Sequence, residues 1–300
     1  MSATSRMTAP DIARAVGVAL IWGMGFVVAK GGTENFPPIL MQALRFVVTS
    51  LALVAFLPRP RGNLRWLLLA TFVGATVQYA LTFTGLTGLG AGLAALVVQT
   101  EVPFLVLLGA LLLGERPTYR KWAGIAIAFV GVAEIAGVGQ IRGSLGSILL
   151  VLGGAFTWAL GQVMVRRLRG LDGRAVTGWI AVLAVPQLFL CSFLFETGQR
   201  EALLSAGPRV WLTVLYLGLI MQALGYAWWN ALLVRHEVGQ VAPFLLLLPV
   251  FTVLGGIVFL GERLDPTHLV GGAIILAGVA LITTDRRRPT PIAPVQTLAE

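Results

Sequence analysis

The chain has 300 residues, 57% of them hydrophobic and 12% charged, and its mean hydropathy is +0.87, a balance that excludes an ordinary soluble domain and places most of the chain in lipid. The net charge of +9 is scattered through short loops, which makes it a topological signal and not a nucleic-acid footprint. Cys191 is the single cysteine and lies in an apolar run, so an intrachain disulfide and a thiolate metal cluster are both excluded.

Crossing about 30 Å of hydrocarbon takes roughly 20 apolar residues. After an N-terminal segment at 1–11, apolar runs at 12–29, 38–57, 66–86, 90–113 and 120–137 predict five spanning helices. Runs at 144–165, 175–195, 208–231, 239–260 and 267–284 predict five more. The first run is too long for a cleaved leader and is read as retained. The tail at 286–300 holds Pro289, Pro291 and Pro294 and is expected to be a disordered end. With an inside N-terminus, sixteen Lys and Arg fall on the inner side and five on the outer, with Arg45 alone inside the membrane. The bias toward inner loops puts both termini in the cytoplasm.

The runs are not independent. Residues 113–135 read LGERPTYRKWAGIAIAFVGVAEI and residues 260–282 read LGERLDPTHLVGGAIILAGVALI. Glu115, Gly124 and Gly131 recur as Glu262, Gly271 and Gly278 at the same steps of nine and seven. Thirty-six residues before each Glu stand Tyr79-Ala80 and Tyr226-Ala227, and Trp22 and Trp158 sit in the opening helix of each half. The expected fold is therefore an all-α integral membrane protein of two five-helix repeats, 12–137 and 144–285. An odd number of helices per copy inverts the second copy in the membrane, the arrangement associated with alternating access around a midplane site. Transport of a small-molecule substrate is the implied activity, and a monomer suffices for it; a membrane receptor or scaffold is the alternative outside transport.

Polar groups in hydrocarbon need a partner, water or a ligand. In helix 8, Gln222, Tyr226 and Asn230 recur every four residues beside Trp229, forming one stripe. Helix 3 offers Gln78, Tyr79 and Thr82, helix 6 offers Trp158 and Gln162, and helix 1 offers Trp22. Each is a substrate-binding candidate, and each also has a plain reading as interhelical glue or interfacial anchor. In helix 4, Gln99, Thr100 and Glu101 sweep too wide an arc for one neighbour to hide. Pro103 removes the N–H that would bond the Gln99 carbonyl, and Pro243 and Pro249 act alike in helix 9, so both helices are expected to break near the site. Arg45 and Glu101 are expected to form a structural ion pair; alternatively, Glu101 takes a proton or meets a substrate ammonium. Glu115, Arg116, Glu262 and Arg263 are expected to act as helix-end caps or interhelical salt bridges. Histidines at 236 and 268 fall on opposite sides, no metal-ligand spacing occurs, and no phosphate-binding loop is present. Neither an enzyme nor a cofactor is expected.

The ten-helix plan, the two GER junctions and the Trp-Gly of helix 1 resemble the EamA-type branch of the drug/metabolite transporter superfamily, over about residues 12–285. Within it the chain looks most like the YddG-type exporters of aromatic and other neutral amino acids. That resemblance implies export from an inner membrane and a cavity lined by aromatics, at positions that Trp22, Tyr79 and Trp158 match. A proton-coupled exporter of lipophilic cations, using Glu101 and aromatic walls, is the alternative within the superfamily.

Overall fold

The structure is a computed structural model that describes residues 7–33, 36–54, 64–137, 145–166, 173–236, 241–263 and 265–285. Residues 1–6 of the expected N-terminal segment 1–11, and the tail 286–300, lie outside the described residues. Every described element is helical, as a backbone in lipid requires if each N–H and C=O is to be satisfied within its own segment. In chain order the helices are α1 (Ala9–Thr33), α2 (Pro38–Leu53), α3 (Leu64–Thr87), α4 (Ala91–Leu113), α5 (Tyr119–Gly137), α6 (Leu145–Arg166) and α7 (Gly173–Phe195). A short helix, Gln199–Ser205, precedes α8 (208–235), α9 (Pro243–Leu260) and α10 (Pro266–Thr283). Among the described residues, 7 helices are long and apolar enough to cross a membrane, and they correspond to expected spans 1, 3, 4 and 6 to 9. Spans 2 and 10 appear as shorter apolar helices, and α5 carries Arg120, Lys121 and Glu134.

The duplicated glycines explain how the halves meet. A Cβ on Gly124 would come within 2.6 Å of the Gly278 carbonyl, and one on Gly131 within 2.7 Å of the Gly271 carbonyl. The early glycine of α5 thus touches the late glycine of α10, and the reverse, so the two helices run antiparallel at backbone contact. This is the geometry of an inverted pair. A similar approach joins α3 to α6, where a Cβ on Gly74 would lie 2.7 Å from Gly161 Cα.

The GER junctions are helix stops as expected. Gly114 and Gly261 adopt left-handed φ values of 67° and 66°, and the amides of Glu115 and Glu262 close back on the carbonyls of Gly109 and Gly256 at 3.2 and 3.0 Å. Glu262 does more than stop a helix. Its carboxylate accepts the N–H groups of Ala91 and Gly92 at 2.6 and 3.3 Å, capping α4 in the other repeat. Glu196 caps α2 in the same way, accepting from Ile39 and Leu40 at 2.7 and 3.0 Å. Arg116 and Arg263 are exposed. Replacing Glu262 with Ala leaves the two amides of α4 bare and is expected to destabilise the protein by about 1–3 kcal/mol. Thermal unfolding in detergent checks this, and an unchanged midpoint would remove the cap from the account.

Further ties close both ends of α1. Lys30 Nζ donates to the carbonyls of Leu86 and Thr87 at 3.0 and 2.8 Å, holding α1 to the end of α3. At the other end the Asp11 carboxylate reaches back over the first turn, with Thr8 N and Oγ1 donating to Asp11 Oδ2 at 3.3 and 2.7 Å, one half of a capping box. His236 Nε2 of the α8 terminus lies 3.0 Å from the same oxygen, and Arg235 lies 3.7 Å from Asp11 Oδ1.

Candidate functional site

The site is assembled from α1, α2, α3, α4 and α8. On α2, Gln42, Arg45, Phe46 and Thr49 follow helical spacing on one face, and all four are buried. Arg45 donates from Nη1 to Gln42 Oε1 at 3.1 Å, and from Nη2 to Gln222 Oε1 and to the Tyr79 hydroxyl, the latter at 3.4 Å. Its guanidinium carbon also stands 4.7 Å from the Tyr79 ring centroid and 5.7 Å from that of Phe46. Thr49 Oγ1 donates to the Gly218 carbonyl at 3.1 Å, locking α2 against α8.

The expected Arg45–Glu101 ion pair does not form. The guanidinium is held by two amide oxygens, a phenol and two ring faces. Glu101 stands half-buried in the first turn of the second segment of α4, and among the described residues it has no hydrogen bond or ion pair. Sequence alone leaves the rotation of each helix open, and α2 turns Arg45 toward α8 and α3.

Helix breaks are present in different forms from those expected. The turn at Gln99–Thr100 divides α4 into Ala91–Val98 and Glu101–Leu113. The Gln99 carbonyl is not free, because the Val102 N–H takes it at 3.2 Å by tightening the turn. A shorter three-residue bond thus replaces the donor that Pro103 lacks. In α9, Pro243 lies in a 3₁₀ segment, Ala242–Leu246, and Pro249 in the first turn of the α-helix that follows it, Leu247–Leu260. The Leu245 carbonyl is approached by the Leu247 N–H. Gly239, the other expected free carbonyl, lies outside the described residues.

Helices α3 and α8 depart the other way. Phe72–Val77 and Tyr216–Leu224 are π-helical, and each widened segment runs up to the repeat-related pair of Gln78-Tyr79 or Gly225-Tyr226. Such turns recur at functional sites. No hydropathy pattern announces them, since one extra residue in a turn leaves an apolar helix apolar.

The aromatic side of the site belongs to α1 and α8. Trp22 donates from Nε1 to the Met221 carbonyl at 3.0 Å, and its ring lies 5.0 Å from Tyr226 and 5.8 Å from Trp229. Gly225 makes room for that indole, since a Cβ there would meet Trp22 Nε1 at 2.4 Å. Tyr79 stacks on Phe83 at 5.7 Å and meets Phe46 edge-on at 5.1 Å, and its hydroxyl reaches Gln222 Oε1 at 3.4 Å. Tyr226 interacts with Tyr79 and lies within electrostatic reach of both Arg45 and Glu101.

Other candidates sit elsewhere. Gln78 Nε2 donates to Thr82 Oγ1 at 3.3 Å, and the Thr82 hydroxyl packs against α6 at Gly154, beside the Gln78 carbonyl. Trp158 joins a separate apolar group with Phe104, Leu105 and Leu108, where α4 meets α6. Gln162 is half-buried one turn beyond. The Asn230 side chain lies outside the described residues. Gln42 and Phe46 were missed by sequence reasoning, although their spacing from Arg45 on the same face was a usable signal.

The chain matches the family model described as "EamA-like transporter family" twice, over residues 12–136 and 145–284. A protein of Salmonella typhimurium named "Probable amino-acid metabolite efflux pump" is 33% identical over 271 residues, covering 87% of this chain and 91% of that one. A protein of the same name from Escherichia coli K12 is 32% identical, covering 91% and 94%. A "Probable terminal-alkyne amino-acid exporter" of Streptantibioticus cattleyicolor is 31% identical, covering 89% and 92%. One crystal structure, 22% identical, superposes with a TM-score of 0.64 over 94% of this chain and 100% of that chain, which supports the fold. Two family matches that together span nearly the whole sequence, on a fold of two antiparallel helical halves, make this chain a member of the EamA-like transporter family.

Proposed function

We propose that this transporter exports neutral amino acids, aromatic and smaller apolar ones such as Met or Thr, or closely similar metabolites, across an inner membrane. It works as a monomer of ten spans, with both termini in the cytoplasm, by alternating access between its inverted repeats. The observation that carries the reading is the joining of an aromatic group, Trp22, Tyr226 and Trp229, to a polar one, Tyr79, Gln222 and Arg45. The rings hold an apolar side chain, and the amides and hydroxyls beside them take the polar head. Relatives named as amino-acid efflux pumps and exporters support the same substrate class. The rim of the site lies on α3 and α8, whose π-turns supply repeat-related hinges.

The test is uptake of a labelled amino-acid panel, with one lipophilic cation, into liposomes holding the purified chain, with and without a pH gradient. Saturable neutral amino-acid flux is expected. Trp22→Ala is expected to lower it at least about tenfold, a loss of roughly 1.4 kcal/mol of binding, while leaving the protein folded. Flux of the cation alone would move the activity to drug export, a reading favoured by the unpaired carboxylate of Glu101. No flux of any probe would favour a receptor or scaffold.

A further inference from the structure

Arg45 is the most deeply buried charged side chain among the described residues, with 0% of its surface exposed. Among the described residues no carboxylate neutralises it. Its partners are neutral: two amide oxygens, one phenol and two ring faces. Its Nε and the neighbouring Gln42 Nε2 are buried donors with no acceptor. A charged side chain at the centre of a membrane helix costs about 2.5–3.5 kcal/mol even by lenient insertion scales. Unmatched donors add about 1–3 kcal/mol each. A packing role alone would be served as well by Met or Leu, which carry neither cost. The retained guanidinium and its spare donors call for an anion.

We propose that Arg45 is the carboxylate anchor for the exported substrate, capped in this conformation at Nη2 by Gln222 Oε1 and the Tyr79 hydroxyl, whose departure leaves Nη2 and the unmatched Nε as the edge that takes the substrate's two oxygens. The proposal rests on the amino-acid reading above and assigns one end of the substrate. A guanidinium fork matches a carboxylate in two parallel hydrogen bonds, and Gln222 and Tyr79 already present oxygens to it from two different helices. Both caps sit on the π-helical hinges: Gln222 lies within the widened segment of α8 and Tyr79 just after that of α3. Relaxing either turn rotates a cap away from Arg45 and opens it to the Trp22–Tyr226 side.

The experiment compares L-phenylalanine with phenylalanine amide, which lacks the carboxylate, and with 3-phenylpropionate, which lacks the ammonium. Transport is measured in liposomes holding the full chain, and binding by quenching of tryptophan fluorescence in detergent. The native protein is expected to prefer phenylalanine over its amide by at least about tenfold, the scale of one charge-assisted bond. Arg45→Gln is expected to bring that ratio close to one, with Arg45→Lys in between. Should Arg45→Gln fail to fold, Gln222→Glu keeps the guanidinium and gives it an internal carboxylate. That variant is expected to fold and to lose phenylalanine binding by competition. Native discrimination in Arg45→Gln, or undiminished phenylalanine binding in Gln222→Glu, overturns the assignment and leaves the amino-acid reading standing. If the native chain moves no amino acid yet binds 3-phenylpropionate in an Arg45-dependent way, the anchor stands and the substrate reading falls. If it binds neither compound, both fall.

Discussion

Gly131→Leu is expected to leave almost no folded protein. A Cβ at that position would lie 2.7 Å from both the Gly271 carbonyl and the Ile275 amide nitrogen. Both obstacles are backbone, so no side-chain rotation relieves the clash. The helices must separate by more than an ångström, and the loss spreads along the whole α5–α10 seam, including the Gly124–Gly278 contact one heptad away. In lipid there is no hydrophobic drive to restore the seam, because tails are as apolar as leucine and association rests on close packing. Overpacking in a filled core costs about 1–3 kcal/mol, and here it acts on the contact that joins the two repeats. The measurement is the monodisperse fraction on size-exclusion chromatography after detergent extraction. A control, Gly146→Leu, faces open space and is expected to behave as the native protein. A folded, transporting Gly131→Leu would refute the seam.

Glu101→Gln is expected to uncouple transport from the pH gradient while sparing the fold. The carboxylate lies inside span Ala91–Leu113, with no hydrogen bond or ion pair among the described residues. Glutamine has the same shape without the charge. Since Arg45 does not lean on Glu101, removing the charge orphans no partner, which separates this result from the folding loss that a structural pair would give. Gradient-driven accumulation is expected to fall to its level without a gradient, while exchange of labelled for unlabelled substrate continues. Accumulation that persists in the variant would remove Glu101 from coupling.

These outcomes depend on features of unequal legibility. The helices and the repeat were readable because lipid enforces helix on every span and because Glu115, Gly124 and Gly131 recur with fixed spacing. Antiparallel glycine contact gives that spacing its reason. Rotation about each helix axis was not readable, and it decides whether Arg45 meets Glu101 or Gln222. An apolar helix in lipid has no solvent face to fix its angle, so two polar residues of opposite charge look like a pair until their neighbours are seen. The breaks were legible only where proline marked them. Pro103 pointed to the right helix, but the chain answered with a tightened turn at Gln99, and the π-turns of α3 and α8 hold no proline at all. Trp158 shows the limit of repeat logic: it occupies a place like that of Trp22 in the opening helix of its half, yet packs with Phe104 and Leu108.

The cap on α4 also sets a timetable for biosynthesis. The Ala91 amide and the Glu262 carboxylate that receives it are 171 residues apart. At ribosomal rates of roughly 5–20 residues per second, the acceptor is made on the order of ten to thirty seconds after the donor. From the completion of α5 until then, the first five helices wait with bare amides at the start of α4 and an open glycine groove along α5. Membrane quality control therefore meets a half-finished surface on every round of synthesis, and the nascent chain must outlast that inspection before its second half arrives to close it.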